Sequence, residues 1–168
     1  RMGQPNKAMS FDGVDDYIDC GNDASLNLRN RLTVNLWVKR NVLNTQQTIA
    51  QHWYGINQPD QRQWFLDFRG TGNNKIHGYL NDGLDHEFVG NTDIDTNYHM
   101  ITLSYDKSYI RIYLDGIEDM MPISLSSTLR NSTTETIIGY SKRNPNFNGS
   151  IDDVRIYNRA LSEDEIKT

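Results

Sequence analysis

The chain is poor in cysteine and has no long apolar run, and each absence excludes a class of protein. Cys20 is its one cysteine, so an internal disulfide and a cysteine-ligated zinc or iron–sulfur site are both excluded. No stretch supplies the roughly 20 consecutive apolar residues of a transmembrane helix, and we expect no membrane insertion. We interpret Cys20 as a buried thiol in a strand, the usual state of a free cysteine.

Basic residues are scarce relative to acidic ones. Lys and Arg together number 17 against 22 Asp and Glu, which gives a formal net charge of −5. A phosphate-binding basic face is therefore not indicated, and we expect no nucleic-acid partner. The 168 residues suggest a single domain spanning 1–168. The opening Arg-Met-Gly-Gln-Pro-Asn shows no secretion signal, so we expect a domain of a longer protein whose own signal lies upstream.

What the chain does have is a series of short β-branched and aromatic runs, separated by polar turns at intervals of roughly 8 to 12 residues. Residues 32–38 alternate apolar and polar side chains with the period of a half-buried strand. Asp115-Gly116 lies between alternating apolar runs and predicts a tight hairpin. The sequence therefore predicts an all-β protein built as a two-sheet antiparallel β-sandwich or jelly roll.

The end of the chain predicts a strand followed by the one helix that the sequence supports. Residues 151–157 have the β-branched and aromatic composition of a strand. Ser162 then stands at a helix N-cap position, and Glu165, three residues later, completes a capping box. We expect a short C-terminal helix at this point.

Four motifs, in this order along nearly the whole chain, resemble laminin-G-like domains of the concanavalin A-like jelly-roll superfamily. They are Ser-Phe-Asp-Gly-Val-Asp-Asp-Tyr-Ile at 10–18, the tryptophan-containing strand at 32–39, Tyr-Leu-Asp-Gly at 113–116 and the closing segment at 147–162. The resemblance implies a jelly roll of two curved sheets whose first and last strands are adjacent. It also implies an extracellular or cell-surface module of a larger protein that binds glycans or proteins or serves as a structural spacer.

Calcium is a candidate structural cofactor, because it takes about six to eight oxygen ligands. Acidic and amide side chains occur near both chain ends: Asp12, Asp15, Asp16, Asn148, Asp152 and Asp153. Adjacent terminal strands, as the resemblance implies, would bring these groups together. Residues 152–157 also resemble the end of β-glucanase sandwiches, in which the first aspartate of such a run ligates a structural calcium. We predict a calcium held by Asp12, Asp152 and carbonyls such as that of Gly13. The alternative is that they are turn residues and ion-pair partners, such as Asp153 with Arg155 or Arg159.

The segment 52–64 is the candidate sugar-binding region, because it combines aromatic rings with Asn, Gln and Arg side chains. Trp53 and Tyr54 lie where a predicted strand runs into a loop, a place where a large ring is harder to bury. We predict a glycan site on the concave sheet or its rim, formed by Trp53, Tyr54, Asn57, Gln61, Arg62, Trp64, His77 and Tyr79.

The strand pattern supports this placement and leaves an alternative. His77 and Tyr79 share one face of a predicted strand, and Asp67 and Arg69 share one face of another. Trp64 and Tyr79 could instead be ordinary core or sheet-face aromatics. We interpret Trp37 as a core residue, since aromatic side chains dominate core burial.

Catalytic carboxylates are missing in a usable arrangement. A retaining glucanase on such a sandwich needs two carboxylates on one strand face, about 5–5.5 Å apart. The chain has no Glu-x-Asp-x-x-Glu motif of the kind those enzymes share, and its four histidines show no His-x-x-x-His spacing. We therefore predict a non-catalytic, lectin-like carbohydrate-binding module with a glycan or polysaccharide partner. The alternatives are a protein-binding adhesion or structural module and an unusual glycosidase.

Overall fold

The computed structural model describes residues 8–53, 61–70, 72–141 and 145–167 of the chain. Short strands dominate these residues, as the predicted pattern of apolar runs and polar turns requires. The strands are β1 (Met9–Asp12), β2 (Ile18–Asp19), β3 (Leu32–Arg40), β4 (Gln47–Trp53), β5 (Arg62–Phe68), β6 (Ile76–Asn81), β7 (Asp85–Val89), β8 (His99–Tyr105), β9 (Tyr109–Leu114), β10 (Ile117–Glu118), β11 (Ile123–Ser124), β12 (Ile137–Ile138) and β13 (Asn148–Tyr157). A turn of 3₁₀ helix (Ala24–Leu26) follows β2, and one short helix, α1 (Glu163–Ile166), follows β13.

The strands form two antiparallel sheets. Sheet A has the order β1-β13-β3-β8-β9-β10, with β11 also paired to β9, and sheet B has the order β2-β12-β4-β5-β6-β7. Apolar side chains from both sheets, such as Leu36 and Ile101 of sheet A and Leu66 and Phe68 of sheet B, are fully buried in one shared core. The predicted two-sheet β-sandwich is therefore confirmed.

Strand β3 shows how the alternating pattern sets the layers. Val34 and Leu36 belong to the core, whereas Asn35 and Trp37 point to the opposite side of the sheet. Trp37 lies opposite Met100 on β8, half-buried on the outward face of sheet A. The interpretation of Trp37 as a core residue is wrong, because the even-numbered residues of β3 hold the inward positions.

The two ends of the chain lie side by side, as the resemblance implies. Strand β1 pairs with β13, and Phe11 lies opposite Gly149 in that pairing. The Phe11 ring packs edge-on against Phe147, with 6.0 Å between ring centroids. Gly139, at a φ of +83°, leaves room for that ring, because a Cβ there would overlap Phe11.

The predicted capping box at the C-terminal helix is confirmed. The Ser162 hydroxyl accepts a hydrogen bond from the Glu165 backbone, and the Glu165 carboxylate accepts one from the Ser162 backbone. The Arg159 guanidinium donates to both Glu165 oxygens at 2.7 and 2.8 Å. Hydrogen bonds from Arg159, and then from Ser162, lower the pKa of Glu165 to about 2. Ile166, 2% exposed, anchors the helix on the protein.

The prediction for the single cysteine is wrong in one respect. Cys20 follows β2 and is exposed rather than buried in a strand. Partial desolvation, and then the nearby charge of Asp19, raise the pKa of the thiol. No helix in the described part of the chain has the length and apolar character needed to span a bilayer.

Candidate functional site

Sheet B has an outward face that carries aromatic and titratable side chains. Alternate residues of β5 fill the core, which directs the residues between them to the other side of the sheet. Strand register then places Phe65 opposite Tyr79, Asp67 opposite His77, and Tyr79 opposite Glu87. We call this surface, formed by Trp53, Phe65, Asp67, His77, Tyr79 and Glu87, the open face.

Three aromatic rings lie together on the open face. Trp53, the last residue of β4, has its ring centroid 6.1 Å from that of Phe65 and 5.8 Å from that of Tyr79. Tyr79 also meets the His77 ring edge-on at 5.1 Å. Phe65 is buried beneath its neighbours, whereas Trp53 and Tyr79 are half-buried. Parts of two large rings therefore remain available for an apolar contact.

A cleft of about 450 Å³ lies beside these rings. It is lined by Asn44, Thr45, Gln46, Arg69, Gly70, His77 and Tyr79. The volume lies within the range of about 300–1,000 Å³ that small-molecule sites have. One aromatic wall and several hydrogen-bonding side chains give the cleft the composition of a site for a polar ligand with an apolar side.

A chain of hydrogen bonds crosses three strands at the base of the cleft. His77 Nδ1 lies 2.5 Å from Asp67 Oδ1, and His77 Nε2 lies 3.0 Å from Glu87 Oε1. Asp67, which is 0% exposed, also accepts a bond from Gln46. Burial raises the pKa of Asp67, although its bonds with His77 and Gln46 oppose that rise. Both ring nitrogens of His77 therefore face carboxylate oxygens, which fixes the imidazole between β5 and β7.

Arginine side chains border this network at two points. Arg69 Nη2 lies 3.1 Å from Glu87 Oε1, and both side chains are almost half exposed. Arg62 Nη1 lies 2.9 Å from Asp85, and its guanidinium lies 5.2 Å from the Trp53 ring centroid. The second arginine therefore holds the tryptophan by a cation–π contact.

A buried arginine supports the wall of the cleft. Arg40 donates from Nε to the Val42 carbonyl at 2.9 Å and from Nη2 to the Thr45 carbonyl at 3.0 Å. Its guanidinium lies 4.4 Å from the Phe68 ring centroid, and burial lowers its pKa to about 10. Asn44 adopts a φ of +59° and donates its backbone N–H to a neighbouring loop. These contacts fix the segment 44–46 against the sheet.

The structure brings together only some of the residues predicted to bind sugar. Trp53, His77 and Tyr79 meet on the open face, and Arg62 contacts Trp53. Trp64 is 1% exposed and belongs to the core, in agreement with its alternative interpretation and not with a ligand contact. Gln61, just before β5, is not among the residues that line the cleft, and the predictions for Tyr54 and Asn57 lie outside the described residues.

Sequence reasoning missed residues 44–46 and Gly70, which line the cleft, and Glu87, which bonds to two of the lining residues. Glu87 lies on β7, a short strand with a weak apolar pattern, and Gln46 precedes β4 in a polar turn. Neither residue forms a motif with the predicted site. The alternation of charged residues along β7 was the available signal for Glu87, because Asp85 and Glu87 share one face of that strand.

The predicted calcium ligands do not converge. Asp12 lies opposite Asn148 in register, while Asp152 lies four residues further along β13, or roughly 13 Å at the rise of a strand. The prediction that Asp12, Gly13 and Asp152 share one ion is therefore wrong. Asp153 lies at a bulge with a φ of +50° and forms an ion pair with Arg155 at 2.7 Å, as the alternative had it.

A different set of carboxylates meets at the start of the chain. One oxygen each from Asp12, Asp15 and Asp16 lies within 4.8 Å of the others, and all three residues are exposed. Three carboxylates match the oxygen chemistry of calcium but supply only part of its usual shell of about six to eight ligands. Two of them also stabilise the turn itself, since Asp16 accepts from the Asp12 N–H and Asp12 accepts from the Val14 N–H.

Comparison with known proteins identifies a family and a set of similar folds. A family model described as the concanavalin A-like lectin/glucanases superfamily matches residues 12–167. A comparison with curated proteins finds no relative of matching sequence.

Several solved structures share the fold. Domain 4 of AbnA, a GH43 extracellular arabinanase from Geobacillus stearothermophilus in complex with arabinotriose, is 21% identical with a TM-score of 0.73, over 98% of this chain and 77% of that one. The CBM40 of the Ruminococcus gnavus IT-sialidase, bound to alpha2,3 sialyllactose, is 15% identical with a TM-score of 0.78, over 95% and 94%. The binding domain of Paraclostridial Mosquitocidal Protein 1 is 18% identical with a TM-score of 0.76, over 98% and 43%. At these identities the likeness shows the fold alone.

Proposed function

Because the chain belongs to the concanavalin A-like lectin/glucanase superfamily, we propose that it is a non-catalytic carbohydrate-binding module whose glycan lies in the cleft of the open face. The observation that carries this proposal is the pairing of Trp53 and Tyr79, half-buried and 5.8 Å apart, beside a polar cleft of about 450 Å³. Sugar rings have an apolar side that packs on an aromatic ring and hydroxyls that need hydrogen-bond partners. The solved neighbours bound to arabinotriose and sialyllactose support a sugar ligand.

The module would bind and not cleave. Hydrolysis of a glycosidic bond needs one carboxyl group to protonate the leaving oxygen and a second to act as nucleophile or base. In the cleft, Asp67 and Glu87 both bond to the ring of His77, and Asp67 is fully buried beneath it. Their hydrogen bonds serve to fix the imidazole and the floor of the cleft.

A paired substitution tests the proposal. We expect the wild-type chain to bind one or more glycans on an array with micromolar to millimolar affinity, about −8 to −4 kcal/mol. Tyr79→Ala and Trp53→Ala should each weaken that binding by at least about tenfold, because each removes an apolar contact to the sugar ring. Trp37→Ala, on the outward face of sheet A, is the matched control and should bind as the wild type does. Equal loss in all three variants would count against the open face.

The two other functions make different predictions. A protein-binding module would remain silent across glycans and retain a protein through a surface such as Ile117 and Met121, which are 72% and 86% exposed near the edge strand β10. An unusual glycosidase would release reducing sugar from a polysaccharide. We assign the module to a larger secreted or cell-surface protein, in keeping with its neighbour from an extracellular arabinanase.

A structural calcium stays a prediction. If the ion binds, the carboxylates of Asp12, Asp15 and Asp16 are the group among the described residues that could hold it, with no role for Asp152. A ligand that binds the native state must raise the melting temperature by mass action. A melting temperature unchanged by chelator and by added Ca²⁺ would contradict the prediction of a structural calcium.

A further inference from the structure

The charges of the cleft are matched within the cleft itself. Glu87 Oε1 accepts from His77 at 3.0 Å and pairs with Arg69 at 3.1 Å. Asp67 pairs with His77 on the other side of the imidazole ring. Each cationic group that lines the cleft therefore already contacts a carboxylate of the same surface.

The acidic groups of this cluster outnumber its guanidinium groups. Two carboxylates, Asp67 and Glu87, face the same imidazole ring of His77, and Arg69 is the one guanidinium that contacts this group. The cleft therefore has no guanidinium group beyond the one already paired with Glu87.

The hydrogen-bonding capacity that remains suits hydroxyl groups. Both bonds to Glu87 fall on Oε1, and among the described residues Oε2 accepts none, so this oxygen can accept from a ligand hydroxyl. Arg69 is 45% exposed at the cleft and has N–H groups beyond the one that faces Glu87. Tyr79 supplies the adjoining ring face. A hydroxyl can both donate and accept, and so it can bridge such a pair.

A carboxylate in the same position would be poorly matched. It would approach Glu87 and Asp67, and its only exposed cation in the lining, Arg69, would have to leave Glu87 to receive it. Juxtaposed like charges weaken binding strongly and are a common means of rejecting a wrong ligand.

We propose that the cleft selects uncharged sugars and rejects acidic ones such as uronic or sialic acids, with Glu87 as the residue that sets this selectivity. The inference rests on the proposed carbohydrate-binding function and adds the class of sugar. It separates this chain from the sialyllactose-bound neighbour, whose fold it shares.

Calorimetric titration with matched ligands tests the proposal. The probes are neutral hexose oligosaccharides and the corresponding hexuronic oligosaccharides, which differ only in carrying a carboxylate at C6. We expect the acidic member of a bound pair to bind at least about tenfold more weakly at low salt. Added NaCl should narrow that difference, and it should leave neutral binding unchanged, because screening acts only on the charged ligand.

Two variants and a control locate the effect. Glu87→Gln keeps the shape of the side chain and removes its charge. The affinity ratio between the neutral and the acidic sugar should therefore fall to less than about threefold. Arg69→Gln removes the cation and should instead increase the affinity ratio between the neutral and the acidic sugar. Glu118→Gln is the control, because it removes a partly exposed carboxylate near Arg111 on sheet A. It should leave the affinity ratio between the neutral and the acidic sugar unchanged. The salt series uses only the wild type, so it tests charge repulsion of acidic sugars even if a variant does not fold.

The possible outcomes distinguish the proposed charge selectivity from the proposed carbohydrate binding on which it rests. Binding of acidic sugars as tight as that of their neutral partners would overturn the charge selectivity and leave a carbohydrate-binding module in place. A preference for neutral sugars that survives in Glu87→Gln would overturn the role of Glu87. Absence of binding to every glycan, neutral or acidic, would overturn both proposals together.

Discussion

The outward faces of the two sheets are built differently, and the proposed binding site rests on that difference. On sheet A the outward positions are mostly almost fully buried, as at Thr33, Asn35, Thr102, Ser104 and Tyr113, while Trp37 is half-buried. Segment 159–167 covers part of this face, since Thr33 donates to the Arg159 carbonyl and accepts from the Leu161 N–H. On sheet B the corresponding face carries half-buried aromatic rings and a cleft.

Polar residues on the two outward faces differ in their exposure to solvent. Asn35 and Thr102 satisfy each other by a hydrogen bond of 2.7 Å and are 8% and 0% exposed. Glu87 and Arg69 form their pair at the surface, with nearly half of each side chain exposed. Exposed ion pairs contribute little to stability, so a loss of this pair in the proposed recognition would cost the fold little.

Removing the anchor of the covering segment gives the largest expected effect. Ile166→Ala deletes a buried side chain and should lower the free energy of unfolding by about 2–5 kcal/mol. The melting temperature should fall by several degrees, while glycan binding at a temperature where the variant is folded should stay as in the wild type. Lys167→Ala is the matched control, since this neighbouring side chain is exposed. A loss of glycan affinity in folded Ile166→Ala would break the division between the two faces.

A pair of threonine substitutions compares the sheets directly. Thr33→Val removes two hydrogen bonds to the covering segment and should cost about 1–2 kcal/mol in denaturant unfolding. Thr48 of sheet B is equally buried, but its hydroxyl has no hydrogen-bond partner among the described residues. Thr48→Val should therefore be neutral or slightly stabilising. Equal costs for the two variants would show that Thr33 does not hold the segment.

The smallest expected effect comes from a second histidine between two carboxylates, on sheet A. Desolvation opposes protonation of His99, but its bonds with Asp115 at 2.7 Å and Asp95 at 3.0 Å outweigh it and raise its pKa above the usual 6.5. The folded state therefore binds the proton more tightly than the unfolded state does. The resulting stability is fully present below pH 6.5 and is lost as the pH rises through the folded pKa.

Melting curves of wild type and His99→Gln across this range measure the contribution. The wild type should lose about 1–3 °C relative to the variant as the pH rises from about 6 to 8.5. Parallel pH profiles of the two proteins would show that His99 adds nothing. Glycan binding should be the same for both, because His99 lies on the other sheet from the cleft.

The fold could be predicted because its determinants are local. Three features are each determined by residues close together in the sequence, and the structure confirms all three: the alternation along β3, the Asp115-Gly116 turn and the Ser162 capping box. The interpretation of Trp37 as core is wrong because it follows residue type, whereas the alternation of β3 places Trp37 on the same side as Asn35. Cys20 is exposed because residue type alone does not determine burial.

The cleft could be predicted only in part because it depends on register between strands. Asp67, His77 and Glu87 lie on three strands, and their meeting requires that each pairing fall on one particular residue. A slip of one residue would send each side chain to the core. The predicted ligand set for calcium is wrong for the same reason: the adjacency of β1 and β13 is right, but the register separates Asp12 from Asp152.

Backbone amide NMR of the chain titrated with the neutral oligosaccharide that binds most tightly tests the division between the faces most directly. We expect shifts confined to β5, β6, β7 and residues 44–46, with β3, β8 and β9 unchanged. Shifts centred on β3 and β8 with a silent β6 would contradict the assignment of binding to the open face.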